Sequence, residues 1–143
     1  MPQSSCLCGK NRIEFNAEPV LKFMCHCTDE RKLTGAAFAL NILYPSNTLQ
    51  VISGKLQTFT KVADSGNEIT SYSCASCGGL LYRTSTGYPG TMVIKAGLID
   101  GSDESEAFKP EVELFTNSRL TWLRPVEGAK QEPRDFGTGC DPE

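Results

Sequence analysis

The sequence predicts a mainly β protein with one short helix, and three observations carry that expectation. Short runs rich in β-branched and aromatic residues recur along the chain, alternating with polar residues between turn signals. No long stretch has the periodicity of an amphipathic helix. Six of the seven cysteines fall in close pairs, Cys6/Cys8, Cys25/Cys27 and Cys74/Cys77, with glycine after two of them. At 143 residues the chain is one domain by the usual span of roughly 100–200 residues.

Taken in chain order, Arg12–Phe15 reads as a strand because polar and apolar residues alternate, and residues 20–24, 37–43 and 48–52 follow with the same character. Residues 29–34 supply one or two helical turns, with Gly35 as the stop. Residues 55–62 and Glu68–Cys74 flank Asp64-Ser65-Gly66-Asn67, which is a hairpin signal. Further strands are expected at 80–83, 92–96 and 111–115. From Glu127 the chain carries prolines, glycines and scattered charge, as a surface-draped or partly disordered tail does.

Composition removes several function classes. Hydrophobic residues at 39% with 22% charged suit a folded soluble domain. The longest uncharged apolar stretch, residues 35–43, is far below the roughly 20 residues of a membrane helix, so no membrane partner is expected. The N-terminus lacks a basic and apolar signal layout, which sets the expectation of a cytoplasmic protein. Lys and Arg number 14 against 17 Asp and Glu, for a net charge of −3 with no basic run, so nucleic acid is not an expected partner either.

In a reducing compartment, clustered thiols bind metal more readily than they pair as disulfides. Cys74-Ala75-Ser76-Cys77-Gly78-Gly79 has the form of a zinc knuckle, in which a tight turn aims two thiolates at one ion. Cys6-Leu7-Cys8-Gly9 puts two sulfurs on one side of an extended segment and supplies the other half. Four thiolates make a closed tetrahedral site, so Cys6, Cys8, Cys74 and Cys77 are expected to hold one structural Zn²⁺.

Cys25-His26-Cys27 is a second pair, and two thiolates alone do not hold zinc. Glu30, three positions on, can return on the first helical turn with a carboxylate oxygen, giving two thiolates, one carboxylate and one open position. His26, the single histidine, is expected to point to the opposite side and to serve in packing or capping. The open alternative is a site without a second zinc, in which Glu30 acts as general acid or base beside two free thiols.

The run Cys25-His26-Cys27-Thr28-Asp29-Glu30-Arg31-Lys32-Leu33-Thr34-Gly35-Ala36-Ala37-Phe38, framed by the pairs at 6/8 and 74/77, resembles the glutathione-dependent formaldehyde-activating enzyme family. Centromere protein V shares that domain. The likeness extends through Gly97-Leu98-Ile99-Asp100 and Arg119-Leu120-Thr121-Trp122-Leu123, covering roughly positions 4–130. It implies an Mss4-like fold of antiparallel β-sheets stapled by zinc, over residues 1–130, with 131–143 as a C-terminal tail. It also implies a two-zinc plan whose second site uses CHCxxC. Here Glu30 stands at the position of the last cysteine of that pattern, an exchange that would make a bound ion harder and more Lewis acidic.

The resemblance implies a carbon–sulfur lyase reaction on a small molecule, glutathione or another thiol joined to an aldehyde, with Cys25, Cys27 and Glu30 as the catalytic residues. Two alternatives accompany it: an enzyme of the same fold that uses Glu30 for proton transfer, and a non-catalytic zinc-stabilised binding module. Arg31 and Lys32 are candidates to attract a substrate carboxylate, and Tyr72, Tyr82 and Trp122 to line a pocket. Cys140 is expected to be a free thiol in the tail.

Overall fold

The structure is a computed structural model of the chain and describes residues 3–63, 66–101 and 108–134. Eleven strands and one α-helix lie among them: β1 (Gln3–Ser5), β2 (Arg12–Phe15), β3 (Leu21–Cys25), α1 (Thr28–Thr34), β4 (Ala39–Pro45), β5 (Leu49–Ser53), β6 (Leu56–Val62), β7 (Glu68–Cys74), β8 (Leu80–Ser85), β9 (Thr91–Lys95), β10 (Val112–Leu114) and β11 (Lys130–Gln131). Three strands form one sheet in the order β1-β2-β5, and eight form the other in the order β11-β10-β3-β4-β9-β8-β7-β6. The mainly β expectation therefore holds, with each expected strand present to within two residues at either end.

The segment expected from Glu127 as a surface-draped or partly disordered tail contributes β11 to the edge of the large sheet, and residues 135–143 of it lie outside the described residues. Backbone bonds continue the pairing, from Glu132 N–H to the Glu113 carbonyl and from Phe115 N–H to the Arg134 carbonyl. The sheet is also not wholly antiparallel. β10 runs parallel to both β3 and β11, which the long connection from β9 permits, since parallel neighbours require a crossover. Asp64, Ser65 and Cys140 lie outside the described residues.

Pleating divides the large sheet into two working faces, because successive side chains point to opposite sides. Ile42, Tyr44, Met92, Ile94 and Tyr82 lie in the main core with Ile13 and Phe15 of the small sheet. Phe15 stacks on Tyr44 with ring centroids 4.8 Å apart. The register sets Phe23 opposite Asn41, Asn41 opposite Lys95, Val93 opposite Arg83 and Arg83 opposite Ser71. Phe23, Cys25, Val112, Leu114, Leu43 and Val93 belong to a second apolar cluster, together with Cys27 at the start of α1. On this side, therefore, apolar packing at β3 and β10 gives way to polar side chains across β4, β9, β8 and β7. Among the described residues, no helix is long and apolar enough to cross a membrane.

Candidate metal centre and thiol site

Cys6 and Cys8 follow β1, and Cys74 ends β7, with Cys77 in the turn that leads to β8. The two turns are built alike. Gly9 N–H donates to the Cys6 carbonyl and Gly78 N–H to the Cys74 carbonyl, both at 2.9 Å. Gly9 (φ 76°) and Gly78 (φ 77°) both adopt the left-handed backbone that closes such a turn and that a side chain disfavours.

The four sulfurs lie within 4.8 Å of one another. Cys6 and Cys8 Sγ are 3.5 Å apart, and Cys8 and Cys74 Sγ 3.7 Å. A tetrahedral ion with Zn–S bonds of about 2.3 Å separates its sulfurs by about 3.8 Å, so the cluster has the dimensions of the site. Backbone N–H groups of Ser76 and Cys77 donate to Cys74 Sγ at 3.3 Å, and that of Asn11 to Cys6 Sγ at 3.4 Å. The Cys77 N–H is the largest cause that brings the Cys74 thiol down to about 6. The Lys10 N–H favours the Cys8 thiolate, yet burial and the three neighbouring sulfurs carry that thiol up to about 11. Packing thiols this closely without a cation is unfavourable for more than one thiolate, and a divalent ion removes that conflict.

The second constellation is assembled differently. Cys25 ends β3 and packs in the second apolar cluster, while Cys27 caps α1, its sulfur accepting the Glu30 N–H at 3.4 Å. Gly35 closes the helix in the left-handed conformation, its N–H donating to the Arg31 carbonyl. The neighbouring Cys27 side chain, together with burial, raises the Cys25 thiol well above its ordinary range, while Cys25 and the Glu30 N–H lower that of Cys27 against its own burial.

Glu30 is buried, and both of its carboxylate oxygens are engaged by other side chains. Lys95 Nζ donates to Oε2 at 2.5 Å, and Asn41 Nδ2 and Arg83 Nη1 donate to Oε1 at 3.3 Å. Lys95 also donates to Asn41 Oδ1 at 2.9 Å, closing a ring of three side chains, and Arg83 Nε donates to Ser71 Oγ at 3.2 Å. Burial pushes the Glu30 carboxyl up, but the charges of Lys95 and Arg83 and the bonds from Lys95 and Asn41 outweigh it and hold the group below its usual value. Among the described residues, the set of metal-type ligand atoms within 4.8 Å of one another is Cys6, Cys8, Cys74 and Cys77; Cys25, Cys27 and Glu30 do not form another. The residues present there do not fit a metal ion as they fit one at the first cluster.

His26 turns away from the thiols, as its place between them requires. Its Nε2 is 2.7 Å from Glu113 Oε1, and both side chains are buried. Glu113 also accepts from Val126 N–H and Gln131 Nε2 at 2.7 Å and pairs with Arg119. The carboxylate therefore ties the chain around 126–131 to the strand beside the thiol pair. Burial again pushes the Glu113 carboxyl up, and bonds from Gln131, His26 and Val126 hold it down.

Of the other candidates, Tyr82 is buried in the main core with Tyr72 stacked on it at 4.4 Å, and Trp122 is 72% exposed. Arg31 and Lys32 lie in the last turn of α1. Lys95, Arg83, Asn41 and Glu113 were not singled out from the sequence. Their signal was a charged or amide residue within an apolar strand run, as in Met92-Val93-Ile94-Lys95 and Val112-Glu113-Leu114, since a charge placed inward needs a buried partner.

A family model described as glutathione-dependent formaldehyde-activating enzyme matches residues 1–118. No curated protein matches the chain. A crystal structure of a Rhodobacter sphaeroides protein is similar in fold, with a TM-score of 0.60 at 16% identity over 76% of this chain and 96% of that one.

Proposed function

The chain belongs to the glutathione-dependent formaldehyde-activating enzyme family, and from that premise we propose that it makes or breaks the carbon–sulfur bond of an adduct between a small thiol and an aldehyde. Glutathione is the thiol that the family's name suggests. In this reading Cys6, Cys8, Cys74 and Cys77 hold a structural zinc, which closes the N-terminal segment onto β7, and the reacting groups are Cys25 and Cys27.

The observation that carries the reading is the pair of buried thiols at the junction of β3 and α1, Cys25 packed in the second apolar cluster and Cys27 capping the helix, with the first thiol pushed up and the second down. Two groups pushed apart in this way divide the roles of acid and base. Cys27, as thiolate, takes the proton of the substrate thiol; the substrate sulfur adds to the aldehyde carbon; the Cys25 thiol gives its proton to the carbonyl oxygen as that oxygen becomes a hydroxyl. Proton transfer from Cys27 to Cys25 restores the pair. The sum is one thiol and one aldehyde giving one hydroxyalkyl thioether, and the reverse sequence cleaves it. Glu30, ionised and held by Lys95 and Arg83, fixes the start of α1 instead of exchanging protons, so it is a positioning residue in this reading.

The test is turnover of zinc-replete protein with glutathione and other small thiols against formaldehyde and larger aldehydes, followed by NMR of the adduct. Acceleration over the uncatalysed reaction that is lost in Cys27→Ser, with zinc content unchanged, supports the reading. Equal rates for Cys27→Ser and the wild-type protein contradict it. The alternative of a binding module has exposed Leu7, Phe59 and Trp122 in its favour and is the reading left standing if no pair turns over.

A further inference from the structure

We infer that Lys95 and Arg83 take the place of a metal ion at Cys25, Cys27 and Glu30, so that the chain binds one zinc per molecule, at its four-cysteine cluster, and none at this second position. The inference concerns metal content and holds whether or not the thiol pair proves catalytic.

The first ground is geometric. A carboxylate ligates zinc through an oxygen lone pair at about 2.0–2.2 Å, but Lys95 Nζ is already 2.5 Å from Glu30 Oε2, while Asn41 and Arg83 occupy Oε1. The second ground is topological. Asn41 and Lys95 are directly opposed on β4 and β9, and Ser71 and Arg83 on β7 and β8. The register of four strands thus sets where both cations stand, and neither leaves without breaking partners it shares across the sheet. The third ground is charge. Buried Lys95 and half-buried Arg83 more than balance the Glu30 carboxylate, and a dication added beside them would meet repulsion in a medium that screens it poorly. The fourth is the contrast within one chain. The sulfurs of Cys6, Cys8, Cys74 and Cys77 are gathered at metal spacing, and Cys25, Cys27 and Glu30 are not.

The same geometry predicts that restoring a third cysteine alone does not restore a metal, because the two cations remain and now lack their carboxylate. Native mass spectrometry of protein equilibrated with zinc alone tests this in wild type, Glu30→Cys and Glu30→Cys/Lys95→Met, with circular dichroism as the check on folding. The expected counts are one zinc, one zinc and two. In the double variant the remaining Arg83 offsets the surplus negative charge of three thiolates on one dication. Two ions in the wild type, two in Glu30→Cys alone, or one in a folded double variant each overturn the inference. Where the double variant does not fold, cobalt titration of the wild type decides: saturation at one equivalent supports the inference, and a second equivalent with thiolate charge-transfer absorption overturns it.

Discussion

The two CxC turns of this chain start from the same spacing and end in opposite chemistry. At Cys6 and Cys8 the partners are two more cysteines, brought from 66 positions away by β7, and four sulfurs stand close together with backbone N–H groups aimed at two of them. At Cys25 and Cys27 the partner is a carboxylate that buried Lys95 and half-buried Arg83 already neutralise. A cluster of like-charged ligands requires an external cation, whereas a cluster that carries its own cations does not. What decides between them is the charge that neighbouring strands supply, and the ligand motif alone does not reveal it.

The largest effect is expected at the first cluster. Cys74→Ser, or removal of the ion by chelation, should cost the domain most of its stability, which for a protein this size is about 5–15 kcal/mol, as structural zinc sites contribute to folding outright. Thermal melts with and without chelator check this, and an unchanged melt would erase the comparison. Next comes the buried ion cluster. Glu30→Ala leaves two cations unpaired and should destabilise by about 3–5 kcal/mol, while Glu30→Met/Lys95→Met should cost much less because a buried pair replaced together by apolar groups is often close to neutral. Urea denaturation of Glu30→Met, Lys95→Met and the double gives the coupling, and additive effects would show that Lys95 and Glu30 act independently.

Acid should expose the same cluster. The carboxyls of Glu30 and Glu113 are held below their unfolded value of 4.5, so their contribution is fully present above that value and is lost as pH falls through the lowered folded values. Stability of the zinc-replete wild type should therefore decline below about pH 4.5, more shallowly in Glu30→Met/Lys95→Met. Separating this decline from zinc release requires reading metal content at each pH. A smaller effect is expected at Glu113→Gln, which should cost about 1–3 kcal/mol through poorly satisfied buried partners, with faster proteolysis in the segment around 124–131. The smallest is Lys61→Ala. Its bidentate bond to Asp29 at 2.7 Å lies at the surface, and exposed pairs contribute about 0–1 kcal/mol, so a melt within error of wild type is the expected result.

The strands were legible because side-chain alternation records which face each residue buries, and α1 because Gly35 marks its end. β1 and β11 were not legible: Gln3-Ser4-Ser5 and Lys130-Gln131 carry no apolar alternation and pair through backbone alone. The four-cysteine cluster could be read because both halves carry their ligands in local motifs. The cluster around Glu30 could not, since Asn41, Arg83 and Lys95 meet only through the register of β4, β9 and β8, a long-range property. Glu30 was visible as a departure from a cysteine pattern, and its compensation lay 53 and 65 positions further along.

The most direct test of that contrast is the zinc K-edge X-ray absorption spectrum of the purified, zinc-replete protein. Zinc held only by Cys6, Cys8, Cys74 and Cys77 gives a single shell of four sulfurs at about 2.3 Å, which is the expected result. A mixed shell, with oxygen or nitrogen at about 2.0–2.2 Å beside fewer than four sulfurs per ion, would place metal at Glu30 and contradict the account.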